Sequence, residues 1–285
     1  MQFAFSSNAF TNFSLIDSIS HIAQIGYQGI EIMCDKPHAY PPDVDHESIL
    51  KIKSSLSSNN VKISNLNAFT LFALGDTYHP SWIDINPENR KARINHTKNC
   101  IELASQLGAK TISLEPGGPI DSATAPAIAD ASSSQDRLKL YNIFADGLKE
   151  VIPLAEKNRV KLLVEPEPGL LLQTSKEFLE FMKNFDSEFL KLNFDIGHFY
   201  CVREDPVTLI NELYDYIEHF HLADIKDHVH NHLIPGLGDI QIKDILLDIK
   251  DSNYRGFVTI ELYPYKNDPI GAAAQSLQYV KTLVS

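Results

Sequence analysis

The chain has 285 residues, 44% of them apolar, which is enough for a large core and too long for a disulfide-stapled mini-protein. Lys and Arg total 25 against 37 Asp and Glu, so the formal charge is -12, which repels phosphate backbones and anionic lipid and argues against a nucleic-acid or membrane partner. Three separated cysteines, Cys34, Cys100 and Cys201, make no CxxC pair, and no apolar stretch reaches the roughly 18 residues of a membrane helix, so a cytoplasmic protein without an export signal is expected.

Short β-branched or aromatic runs alternate with stretches of helical periodicity along the whole chain. A first strand is expected in QFAFSS near Phe3, followed by a helix over Leu15 to Ile25 with Ser14 as N-cap and Gly26 at its end. GIEIMC, ending near Glu31 to Met33, precedes a helix over Glu47 to Ser58, and VKISNLNA, ending near Asn67, precedes Arg90 to Leu107. KTISLE ends at Glu115 before Asp136 to Lys157, and KLLVE ends at Glu165 before Ser175 to Asn184. LKLNFD ends at Asp195 before Pro206 to Tyr214, IEHFHLAD runs through His221 before Ile242 to Asp251, and FVTIEL runs through Glu261 before Pro269 to Leu283. Eight βα units without a dividing linker predict a single α/β domain over residues 1–285, a (β/α)8 TIM barrel. An open doubly wound sheet would carry a glycine fingerprint after its first strand, where SSNAFTNF has no glycine. The irregular stretch Pro116 to Ser134 reads as a lid or binding loop.

In a parallel barrel the C-terminal ends of the strands converge on one face. Strands five to eight end on Glu165, Asp195, His221 and Glu261. Each alone could equally be a helix cap or a lysine partner, but four consecutive ends of metal-ligand type are hard to assign to capping. Three carboxylates gathered without a counter-charge would cost several kcal/mol, so the set asks for one divalent cation. Oxygen-rich ligation with one nitrogen favours Mn2+ or Mg2+, with Co2+ or Zn2+ able to use the same donors.

The motifs VEPEPG, NFDIGH, HFHLADIKD, HLIPGLGDI and TIELY, in that order, resemble the sugar isomerase and epimerase branch of the xylose isomerase-like barrels, relatives of ketose 3-epimerases and hydroxypyruvate isomerase. The resemblance covers essentially the whole chain. It implies that Glu165, Asp195, His221 and Glu261 bind one divalent ion, and that Glu165 and Glu261 flank the sugar, one removing a proton beside the chelated carbonyl and the other returning it through an enediolate. His198 matches a family histidine that bonds a substrate oxygen, and Glu167 is an added carboxylate expected on sugar hydroxyls. His232 resembles a histidine of the related endonuclease IV barrels that binds an additional zinc, and is assigned here to substrate or a second ion. Barrels of this family often pair, so a homodimer is the expectation.

Two positions depart from the ketose 3-epimerases: Asp227 stands where they carry an arginine and Leu171 where they carry a substrate-binding glutamate. Both speak against a free ketohexose as substrate. Endonuclease IV-like DNA repair is set aside because strands three and four end on Asn67 and Glu115 rather than on histidines, and because the chain is acidic. Glu115 is expected to face substrate or to position a backbone loop. Phe69, Phe72 and Trp82 lie where a loop would wall a sugar pocket, with simple loop packing the equal alternative. His228, His230 and His232 alternate, so an extended segment would point all three one way, although a solvated loop is the plainer reading for the first two. The remaining histidines, His219 among them, read as packing or surface residues. The expected substrate is a sugar or polyol-like small molecule. The functional expectation is a metal-dependent isomerase or epimerase, with a lyase (dehydratase or deglycosidase of oxidised glycosides) and a non-catalytic sugar-binding barrel as alternatives.

Overall fold

A computed structural model of the chain describes residues 1–120 and 134–284. Eight parallel strands close into a barrel: β1 Gln2–Ser6, β2 Gly29–Met33, β3 Lys62–Asn67, β4 Thr111–Leu114, β5 Lys161–Val164, β6 Leu190–Asp195, β7 Ile217–Leu222 and β10 Phe257–Ile260, with β1 pairing both β2 and β10. Outside it run α1 Leu15–Ile25, α2 His46–Ser58, α3 Pro87–Leu107, α4 Ser134–Asn158, α5 Ser175–Met182, α7 Pro206–Glu212, α8 Ile242–Asp251 and α9 Pro269–Val284. These bounds differ from the periodicity reading by three residues at most. Two elements have no counterpart in that reading: α6 Ile196–Cys201, which continues straight from β6, and an antiparallel hairpin of β8 Asp224–Lys226 and β9 Val229–Leu233 after β7. The stretch Pro116 to Ser134 lies outside the described residues from 121 to 133; before it, Pro119 bridges to Leu170.

Local chemistry sets these boundaries. Ser14 accepts from the Asp17 amide at the start of α1, and Gly26 closes the helix in the left-handed region, φ 105°. Thr174 and Glu177 form a reciprocal capping box on α5.

Side chains on a strand alternate between lumen and helix layer. On the helix side Ile30, Ile32, Leu66, Ile112, Leu162, Phe194 and Phe220 are all buried in the core. Many of the alternate positions are polar, Ser6, Glu31, Asn65 and Asn193 among them, and they bond to one another across the lumen, while Ala4, Met33 and Leu163 are apolar. Ser6 Oγ donates to Glu31 Oε1 at 2.8 Å, Asn65 Nδ2 to Glu31 Oε2 at 2.8 Å, and Thr111 Oγ1 to Asn65 Oδ1 at 2.7 Å. Buried polar groups so paired avoid the desolvation cost that each would carry alone. This network is the floor on which the strand-end residues stand.

Candidate metal centre and substrate cavity

β5, β6, β7 and β10 bring Glu165, Asp195, His221 and Glu261 together at the mouth, each offering one ligand atom within 4.8 Å of the others. Glu165 and Glu261 directly follow β5 and β10, whereas Asp195 and His221 lie on their strands. His221 Nδ1 stands 2.8 Å from Glu165 Oε1, 3.6 Å from Glu261 Oε2 and 3.9 Å from Asp195 Oδ2. Its Nε2 lies 2.7 Å from Glu31 Oε2 on β2, and Asn193 Nδ2 donates to Glu165 Oε2 at 2.8 Å.

Charge dominates this cluster. Burial opposes the imidazolium form of His221, but Glu165, Glu31 and Glu261 outweigh it and raise its pKa well above the usual value. Burial pushes the Glu261 carboxyl up, His221 pulls it down, and Glu165, Glu31 and Asp195 push it up again, leaving it well above the ordinary range. Burial would also raise Asp195, yet His198, His232 and His221 hold it down at about 2. Asp195 Oδ1 caps α6 by accepting from the His198 amide at 2.8 Å, while Oδ2 is buried without a hydrogen-bond partner. An orphaned carboxylate oxygen facing two further carboxylates and one imidazole fits a divalent cation, and the mixed oxygen and nitrogen donors suit the hard to borderline ions.

A cavity of about 400 Å³ opens over the cluster. Glu165, Glu167, His198 and Glu261 line it, as does His230, while Asp195, His221 and His232 lie behind. Glu167 is 4% exposed and accepts from Tyr78 Oη at 2.7 Å; burial pushes its carboxyl up to about 7. His198 Nδ1 donates to the Pro166 carbonyl at 2.9 Å, so its Nε2 faces Asp195 Oδ2 at 3.8 Å. His232 Nδ1 lies 3.1 Å from the Glu261 carbonyl oxygen and its Nε2 2.8 Å from His230 Nε2; with His198 these two form a second group of three.

The alternation of the three histidines and the pocket role of Trp82 are corrected by this placement. Asp227 and His228 take positive φ, 54° and 59°, in the turn between β8 and β9, which breaks the alternation; His228 instead stacks on Tyr200 at 4.4 Å. Phe69 and Phe72 line the cavity, but Trp82 is 1% exposed and packs on Phe144 at 5.6 Å, because the loop turns back into the core before reaching it. His219, read as a packing or surface residue, is packed inside the barrel, its Nε2 3.8 Å from Glu31 Oε2, and burial lowers its pKa to about 3.

Glu115 does the second of its two expected jobs. Its Oε1 accepts from the Trp82 amide at 3.1 Å, holding the loop between β3 and α3. Arg93 on α3 holds the same loop, donating to the carbonyls of Pro80 at 2.8 Å, Phe69 at 2.8 Å and Ala68 at 3.3 Å. Glu31, Asn8, Asn65, Asn193 and Tyr78 were not singled out from sequence. For Asn65 and Asn193 the signal there is polar residues at alternate strand positions, as in NLN and NFD, and for Glu31 a lone carboxylate inside the apolar strand GIEIM, whereas Asn8 and Tyr78 lie outside the strands and carry no such signal.

A family profile described as xylose isomerase-like TIM barrel matches residues 19–283. The fructoselysine 3-epimerase of Shigella flexneri is 25% identical over 269 residues, covering 92% of this chain and 90% of that protein. An inosose dehydratase of Clostridium perfringens is 25% identical over 283 residues, covering 92% and 88%. The crystal structure of a D-tagatose 3-epimerase-like protein superposes with a TM-score of 0.80 at 23% identity, covering 100% of this chain and 97% of that one. Among the described residues no helix is long and apolar enough to cross a membrane.

Proposed function

The chain belongs to the xylose isomerase-like TIM barrel family, and from that premise we propose that it is a divalent-metal-dependent isomerase or epimerase of a sugar or sugar-like polyol. The observation that carries this reading is the convergence of Glu165, Asp195, His221 and Glu261 around the partnerless Asp195 Oδ2. These four would hold one ion, Mn2+ or Mg2+ ahead of Co2+ or Zn2+, which when bound supplies Lewis-acid polarisation of a carbonyl and its neighbouring hydroxyl. Glu165 and Glu261 come from β5 and β10, on different sides of the cluster, so one takes the proton from the carbon beside the carbonyl and the other returns it. His198, fixed by the Pro166 carbonyl, and Glu167, fixed by Tyr78, bind substrate oxygens from the cavity wall. His232 carries no direct contact in this scheme and instead orients His230. Among the described residues Lys266 is the one lysine or arginine lining the cavity, and residues 121–133 contain neither, so a phosphorylated sugar has no cationic cradle.

Elimination at the same centre is the second reading. Glu167 favours it, as a carboxyl in the cavity outside the four-residue set and able to deliver a proton to a leaving group; the dehydratase relative is of the same type. Product masses separate the two. An isomer or epimer keeps the mass of its substrate, whereas elimination releases water or an aglycone, and unchanged substrate with bound ion contradicts both.

A further inference from the structure

Each glutamate of the four-residue cluster has one carboxylate oxygen held by an asparagine from a neighbouring strand or the turn after it. Asn193, on β6 beside β5, donates through Nδ2 to Glu165 Oε2 at 2.8 Å, which leaves Glu165 Oε1 to face His221 Nδ1. Asn8, just past β1 and so beside β10, donates through Nδ2 to Glu261 Oε1 at 2.8 Å, and Glu261 Oε2 faces His221 Nδ1 at 3.6 Å. The Asn8 amide has one orientation, since turned over it would set Oδ1 against a carboxylate oxygen. Its Oδ1 is buried without a hydrogen-bond partner, so the bond to Glu261 is what holds the side chain. The backbone beneath it is pinned. Asn8 sits in the 3-10 turn Ser7–Ala9, where Ser6 Oγ accepts from the Asn8 amide at 3.4 Å. Ser7 Oγ accepts from the Met33 amide at 2.9 Å and lies 3.1 Å from His38 Nδ1. Asn67 Nδ2 reaches the same Glu261 oxygen less closely, at 3.4 Å, and is shared with Glu31 Oε1 at 3.2 Å.

A carboxylate can give an ion one oxygen or both. Resting on the metal-dependent reading above, we propose that Asn8 is a positioning residue whose bond to Oε1 limits Glu261 to a single ligand atom, Oε2. The consequence is an open position on the ion. One atom from each of Glu165, Asp195, His221 and Glu261 leaves about two places in octahedral coordination, and these are where a carbonyl oxygen and its neighbouring hydroxyl enter. Without the Asn8 amide, Oε1 is a buried acceptor short of its closest donor, and closing onto the ion satisfies it at the expense of one place. Asn8 therefore acts on the centre through Glu261.

The test counts water on the ion. Water-proton relaxation of the Mn2+-loaded protein reads the exchangeable waters bound to Mn2+, and calorimetric titration establishes that the sites are filled. Asn8→Ala removes the donor, and Asn8→Leu removes it while keeping the bulk of the side chain. Loss of one of about two bound waters should lower the relaxation enhancement by about half in both variants. Asn12→Ala, in the same loop and bonded through Nδ2 to the Lys266 carbonyl at 2.8 Å, should leave it unchanged. An unchanged or higher enhancement in the Asn8 variants at full occupancy, an equal fall in Asn12→Ala, or loss of Mn2+ binding by both Asn8 variants would overturn the inference. Failure of Mn2+ to bind the parent protein removes the metal-dependent reading together with the inference resting on it, whereas binding without a difference between parent and variants removes the Asn8 inference alone.

Discussion

Glu31 holds the His221 imidazole from beneath, with Oε2 2.7 Å from Nε2 and both residues fully buried. That bond assigns the Nε2 proton to the Glu31 side and leaves Nδ1 to face Glu165, Asp195 and Glu261. Glu31→Gln keeps the side-chain length but removes the charge. It should weaken divalent-ion affinity by roughly 10- to 100-fold, the cost typical of losing an outer partner of a metal-binding histidine. Calorimetric titration with Mn2+ measures it, and an unchanged affinity would show that Glu31 serves folding only.

Ion binding should raise stability, because the unfolded chain offers no preformed cluster. At an ion concentration about a hundredfold above the dissociation constant the gain is about 2.7 kcal/mol. Thermal unfolding after chelation and again after adding Mn2+ reads this directly. Asp195→Asn preserves an oxygen to cap α6 at the His198 amide but removes the orphaned carboxylate, so it should abolish most of the metal-dependent shift.

The loop walling the cavity depends on Arg93, which is 0% exposed and bonded to three backbone carbonyls. Arg93→Leu leaves those carbonyls buried and unpaired, at a cost of about 3 kcal/mol in urea unfolding. Arg93→Lys should recover only part of that loss, since an ammonium cannot reach both ends of the loop as the guanidinium fork does.

Glu115 gives a pH dependence with a definite sign. Burial raises its carboxyl from the ordinary 4.5 to about 7, against the opposing pull of Arg93, the Trp82 amide and His79, with Asp76 adding a smaller upward push. Between those values the folded protein binds more protons than the unfolded chain. The contribution is therefore fully present below about pH 4.5 and is lost as pH rises through about 7, a loss of about 3 kcal/mol. Glu115→Gln retains an oxygen for the Trp82 amide and does not titrate. Its stability relative to the parent protein should rise by that amount between about pH 4.5 and pH 8, as read from urea midpoints. A constant difference would contradict the buried-carboxyl account.

Legibility in the sequence followed the range of the interaction. Strands and helices were readable because period 2 and period 3.6 are local, and caps such as Ser14 and Thr174 lie within three residues of the amides they bind. The four strand-end residues were readable because a parallel barrel sends all such ends to one face. Glu31 was not, since nothing near GIEIM reveals that closure sets it against a histidine 190 residues away. The lone carboxylate in GIEIM and the alternation of polar residues in NLN, NFD and HFH carried that information, but they describe a polar lumen only once the strands are known to close. The pocket role of Trp82 and the alternation drawn through His228 failed for the opposite reason: a loop that turns inward and a turn with two positive φ angles override any pattern extrapolated from neighbours.

Proton exchange measures the central claim most directly. The protein loaded with Mn2+ is incubated in deuterated water with a panel of ketoses and keto-glycosides, and the recovered sugars are analysed by mass spectrometry. The account predicts uptake of one solvent deuterium at the carbon beside the carbonyl of at least one substrate, abolished by Glu165→Gln in a variant that still folds. Absence of uptake from every substrate while the ion is bound, or undiminished uptake in Glu165→Gln, would contradict it.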